Sequence, residues 1–194
     1  MSVTLYEIFP TPIWHIKEEL PRGAYDWALE IQKNNKSVRR SNIGGYQSSD
    51  RVDWTTMVYQ QHILKCLEIL PKFQLDNWWI NINKKGDFND YHTHPGSMLS
   101  AVWYITDNFG SIEFQNPLLH NREGILYEMG WGTAHTFNCT AGDLLVFPSD
   151  LIHHVFPHTE DTLRISVSFN MLTPIQDGYK LIRIPERERR GIYD

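Results

Sequence analysis

The chain has 194 residues and a formal net charge of −5, with 41% hydrophobic and 13% aromatic residues. That is enough apolar matter for one cored domain, and the acidic balance argues against a dedicated nucleic-acid binder. Two distant cysteines without a CxxC pair, no apolar run near the roughly 18 residues of a spanning helix and no basic-then-apolar leader lead us to expect a reduced, cytoplasmic protein without membrane contact.

Taken in chain order, Leu5 to Ile16 reads as extended, because Pro10 and Pro12 forbid a helix there. Pro21 to about Asn35 predicts a helix with Tyr25, Leu29 and Ile31 on its apolar face. Residues 34–53 are polar, contain Gly44-Gly45 and read as a loop. Asp53 can cap a second helix running to about Leu70, where Pro71 ends it. After Pro71, short runs rich in Trp, Ile, Val, Tyr and Phe alternate with turn clusters. The candidate strands are Asn77–Asn83, Ser97–Thr106, Ser111–Phe114, Leu144–Phe147, His153–Phe156 and Leu163–Asn170. Many short strands with regular turns predict a sandwich or open barrel rather than a parallel sheet. The charged end from Pro185 reads as a solvated tail.

The densest polar cluster is Asp90-Tyr91-His92-Thr93-His94-Pro95-Gly96-Ser97. On a strand, His92 and His94 point to the same side and can aim at one metal ion, with a third ligand coming from another strand. Alone, such a pair is more often an ordinary pair of histidines than a ligand pair. A second cluster adds weight: His153 opens a β-branched run after Pro148-Ser149. About ten residues on, Arg164, Ser166 and Ser168 alternate with Ile165, Val167 and Phe169. An arginine inside such a strand is costly unless an anion pairs with it, and a bidentate carboxylate contact supplies the compensation. Ser166 can add a hydroxyl to the same carboxylate. The bland alternative puts Arg164 on a solvent-facing sheet surface.

The order of these pieces resembles the 2-oxoglutarate/iron(II) dioxygenase superfamily. The HxH pair is followed by Val102-Trp103-Tyr104-Ile105, Gly110-Ser111-Ile112-Glu113-Phe114, Gly142-Asp143-Leu144-Leu145-Val146-Phe147-Pro148-Ser149, His153-His154-Val155 and Arg164-Ile165-Ser166. It is similar, more narrowly, to a branch found in bacteria and phages that has a Phe-Pro-Thr-Pro opening, here Phe9 to Pro12, and an H-x-H-Pro-x-Ser stretch. The likeness covers most of residues 77–171. It implies a mainly β fold with flanking helices, the double-stranded β-helix or jelly roll. One domain then spans 1–194: an extended and helical N-terminal part (1–76), the barrel (77–171) and a tail (172–194). The resemblance also implies iron(II) as metal and 2-oxoglutarate and O2 as cosubstrates, with hydroxylation of an unidentified substrate and release of succinate and carbon dioxide. His92 and His153 match the two metal histidines, and Arg164 with Ser166 matches the grip on the cosubstrate's far carboxylate. Tyr104 sits where related enzymes place a phenol reaching that carboxylate. Asn81 or Asn83 can face the same pocket, and Asn83 is the one we select.

The superfamily normally has Asp or Glu two residues after the first histidine, and this chain has His94. Three histidines rank first as ligands. The open alternatives are a two-histidine site and a carboxylate from Asp90. Trp78, Trp79, Trp103 and Trp131 are expected in the core, and 116–137 is expected as a long loop near the site. His154 should point away from the metal; His15, His62, His120, His135 and His158 have no motif context. Two other readings also fit the residues. A cupin-like metal protein without 2-oxoglutarate chemistry has no need of Arg164 at its position, and a jelly-roll binding module would hold no metal. The substrate is a protein side chain or a small molecule, exposed barrel edges are compatible with a homodimer, and a phage-encoded copy would act in the host cytoplasm.

Overall fold

Apolar residues recur with a period of two from residue 74 onward, and the chain answers with strands. The computed structural model describes residues 11–50, 62, 63, 65, 68, 73–118, 128 and 132–172. The opening to Pro10, most of the Asp53–Leu70 helix, His120, Trp131 and the tail from 173 lie outside them. Strand β1 (Trp14–Lys17) precedes helix α1 (Ala24–Asn34) and the two-residue strands β2 (Asn42–Ile43) and β3 (Tyr46–Gln47). Then come β4 (Gln74–Asn83), β5 (Phe88–His92), β6 (Leu99–Tyr104), β7 (Asn108–Gln115), β8 (Ala134–Cys139), β9 (Asp143–Pro148), β10 (His153–Val155) and β11 (Arg164–Leu172).

From β4 onward the pairing is nested. β4 pairs with β11, β5 with β10, β6 with β9 and β7 with β8, all antiparallel. A long ribbon folded this way and wound on itself is the double-stranded β-helix. It forms two sheets, ordered β1-β9-β6-β11-β4-β3 and β2-β5-β10-β7-β8. We call the first the major sheet and the second the minor sheet.

The outer face of the major sheet is apolar. Ile80, Ile82, Ala101, Trp103, Leu144, Val146, Ile165, Val167 and Phe169 form one cluster with Ala24, Trp27, Ala28 and Ile31 of α1. The helix therefore docks through positions 24, 27, 28 and 31, the spacing of one helical face. Ile31 and Leu29 lie on this side as expected, whereas Tyr25 does not, being 40% exposed. The inner faces enclose a second cluster of Val102, Tyr104, Ile112, Phe114, Cys139, Leu145, Phe147 and Leu151.

Two further expectations change. The 34–53 loop contains β2 and β3, which pair with β5 and β4 respectively, so the stretch crosses from one sheet to the other. Gly44 and Gly45 make that corner with φ of 71° and 61°. A Cβ on Gly44 would stand 2.0 Å from the Asp87 carboxylate, so only glycine fits there. The 116–137 loop also ends early, because its last residues belong to β8 on the edge of the minor sheet. Among the described residues, no helix is long and apolar enough to cross a membrane.

Candidate metal centre

His92 is the last residue of β5 and His153 the first of β10, and the two sit directly opposite each other in the antiparallel pair. His94 lies beyond the end of β5, not on the strand as expected. Its backbone amide donates to the Ser149 carbonyl at 2.8 Å, which turns its ring back toward the other two. The ring centroids are 4.3 Å apart for His92 and His153, 5.0 Å for His92 and His94, and 5.1 Å for His94 and His153. Their ligand nitrogens all lie within 4.8 Å of one another.

Two of the rings are held through backbone carbonyls. His92 Nδ1 donates to the Asp90 carbonyl at 2.6 Å, and His153 Nδ1 donates to the Leu151 carbonyl at 2.8 Å. A carbonyl can only accept, so Nδ1 carries the proton in each neutral ring and Nε2 keeps its lone pair. That arrangement is typical of metal-binding histidines. Burial favours the neutral rings: His153 is pushed down to about 3, His94 to about 4, and His92 is lowered in the same direction. Three neutral imidazoles with free nitrogens suit a first-row divalent ion such as iron(II). The Asp90 carboxylate is exposed and accepts from the Tyr91 amide, so Asp90 meets His92 only through its carbonyl.

The floor of the same cavity is the inner face of the major sheet. Arg164 lies opposite Asn83, Ser166 sits between Asn81 and Tyr104, and Ser168 between Trp79 and Val102. All of these side chains line the cavity that the three histidines border. Arg164 is 4% exposed, and its guanidinium donates to the carbonyls of Phe156 at 2.8 Å and Asp87 at 3.1 Å. Burial lowers it to about 10, which leaves it cationic at neutral pH. Among the described residues no carboxylate forms an ion pair with it. The amide atoms Asn83 Nδ2 and Asn81 Oδ1 are buried without a hydrogen-bond partner there. Tyr104 takes part in this floor.

Residues 77–170 match the family described as "Putative 2OG-Fe(II) oxygenase". The matched segment runs through the barrel strands β4 to β11. Among curated proteins none matches the sequence. Solved structures of similar fold include HygX from Streptomyces hygroscopicus with nickel and 2-oxoglutarate bound. It is 14% identical with a TM-score of 0.61, over 85% of this chain and 84% of that one. The α-ketoglutarate-dependent epimerase SnoN from nogalamycin biosynthesis is 16% identical with a TM-score of 0.66, over 84% and 78% of the two chains. A prolyl-4-hydroxylase from Pseudomonas putida is 16% identical with a TM-score of 0.58, over 84% and 93%.

Two residues of this site escape the sequence reading. Trp79, assigned to the core, instead lines the cavity, with its ring 5.5 Å from that of His94. It shares strand parity with Asn81 and Asn83, which is the signal that could have placed it. Ser41 Oγ stands 3.4 Å from His92 Nε2 and accepts from Asn89 Nδ2 at 3.2 Å. Ser41 lies in the polar stretch before β2, where nothing in the sequence marks it. His154 does turn from the cavity, to Glu113 at 3.1 Å and the ring of Tyr91 at 4.1 Å.

Proposed function

We propose that this oxygenase hydroxylates its substrate at an iron(II) ion held by His92, His94 and His153. In the same reading Arg164 and Ser166 bind the far carboxylate of 2-oxoglutarate, and Asn83 and Tyr104 orient it from the same floor. Bound iron(II) supplies oxygen activation, which couples conversion of 2-oxoglutarate to succinate and carbon dioxide to oxidation of the substrate. Arg164 offers the cosubstrate a buried cation, and the two carbonyls that hold its guanidinium keep it oriented before any ligand arrives. Ser166 stands two residues along on the same face, within one pleat of that cation. The carbonyls of Asp90 and Leu151 fix two imidazoles with Nε2 as the acceptor nitrogen of each. The apolar residues Val102, Ile112 and Phe147 on the walls exclude water.

One observation carries this reading: a buried cation that forms no ion pair among the described residues lies on the floor of a cavity bordered by three neutral imidazoles. A plain metal-binding barrel has no need of that cation. Beyond the histidines, a cavity of about 740 Å³ is bordered by Arg40, Asp50, Asp76, Asn77 and Trp79, a size that suits a small molecule or one presented side chain. Residues 1–194 act as one oxygenase domain in this reading, with 77–171 as its barrel. The test is anaerobic titration with iron(II) and 2-oxoglutarate, read by the visible charge-transfer absorption of the chelate. It should appear in the native chain and vanish in His153→Ala and Arg164→Ala. Iron binding without any response to 2-oxoglutarate would overturn it.

A further inference from the structure

A second group of metal-binding side chains stands where β1 joins the barrel. His15 comes from β1, Cys139 ends β8 and Asp143 opens β9. Their imidazole nitrogen, sulfur and carboxylate oxygen all lie within 4.8 Å of one another. His15 Nε2 is 3.3 Å from Asp143 Oδ2. Two donors bonded at about 2.0–2.2 Å in a tetrahedron stand roughly 3.4 Å apart, so this spacing already suits a shared ion.

The rest of the cluster is arranged to match. Thr140 donates to Asp143 Oδ2 from its amide at 2.8 Å and its hydroxyl at 3.1 Å, which fixes the carboxylate as outer partners fix metal-binding carboxylates. The other oxygen, Oδ1, has the largely exposed ammonium of Lys17 at 3.7 Å. Cys139 is buried, and the influence of Tyr104 favours its anion. Burial and the neighbouring Asp143 nevertheless keep it a thiol, pushed up to about 12. A divalent cation would replace that proton and neutralise the carboxylate in one event. The mixed nitrogen, sulfur and oxygen donors select a zinc-like ion, and the solvent edge beside His15 leaves a fourth position for water.

We propose that His15, Cys139 and Asp143 form a second divalent-cation site, separate from the three histidines. The test is cobalt(II) binding to the full chain, read by thiolate-to-cobalt charge-transfer absorption in the near ultraviolet. The three-histidine centre has no sulfur, so it cannot produce this band. The band should form in the native chain, be abolished by competing zinc, persist in Cys66→Ser and His153→Ala, and disappear in Cys139→Ser. His15→Ala should weaken cobalt binding at this band about tenfold or more, the scale on which a metal site responds to loss of its supporting groups. If Cys139→Ser does not fold, the native chain, Cys66→Ser and His15→Ala still decide the matter. A saturating titration without a thiolate band, a band that survives in Cys139→Ser, or His15→Ala without effect would overturn the proposal. The cluster would then be no more than a clamp holding β1 on β9.

Discussion

Strands β4, β6 and β11 carry two chemistries, one on each face. Outward they present Ile80, Ile82, Ala101, Trp103, Ile165, Val167 and Phe169, packed under α1. Inward the same strands present Asn81, Asn83, Tyr104, Arg164, Ser166 and Ser168. One ladder of backbone hydrogen bonds holds both sets. The outer face stabilises the sheet, which allows the inner face to keep a buried cation and amide atoms without partners. Sequence neighbours in β11 therefore do unlike work, and substitutions one residue apart should fail in unlike ways.

The strongest test of this division is Phe169→Ala. Phe169 is fully buried on the outer face, so its truncation should cost about 3–5 kcal/mol of stability in urea unfolding. Iron and 2-oxoglutarate binding by the remaining folded chains should be little altered. Arg164→Ala is its inner-face counterpart. It should weaken 2-oxoglutarate binding by about 2–5 kcal/mol in calorimetry and destabilise the fold less than Phe169→Ala does. Equal loss of stability in both would erase the distinction between faces.

Acid should act on the inner side through its histidines. The unfolded chain takes up protons on its histidines near pH 6.5, whereas folded His94 and His153 resist until about 4 and 3. Proton uptake thus favours the unfolded state, and stability present above about pH 6.5 is lost as pH falls toward 4 and below. A melting temperature of the metal-free protein that stays flat across this interval would count against neutral, buried rings. The smallest effect is expected from Asn83→Leu. Removing an amide whose Nδ2 has no partner should leave stability within about 1 kcal/mol, or raise it, while 2-oxoglutarate affinity drops several-fold.

Much of this division was legible in the sequence, because strict alternation at residues 164–169 separates the two faces without any tertiary information. The jelly roll followed from the order of strand-like runs and turns. What stayed hidden lacks a periodic signal. β2 and β3 have two residues each, and β8 is an edge strand with half of its residues exposed, so none of the three repeats an apolar face. His94 escaped its assigned strand because its position depends on a hydrogen bond to Ser149, 55 residues away. The His15, Cys139 and Asp143 group depends on the register between β1 and β9, which no local pattern encodes.

The place of β11 has a consequence for how the molecule is made. β11 is the last strand of the barrel in the chain, yet it lies inside the major sheet between β6 and β4. During synthesis, a nascent polypeptide that has emerged only as far as residue 163 lacks a central slat, not an edge. All three histidines would already be outside the ribosome, while Arg164 would still be in its exit tunnel. Closure must wait for pairings across more than 80 residues, such as Arg164 with Asn83, and such long-range pairing is intrinsically slow. Completion of the cavity therefore waits for β11 to emerge and pair.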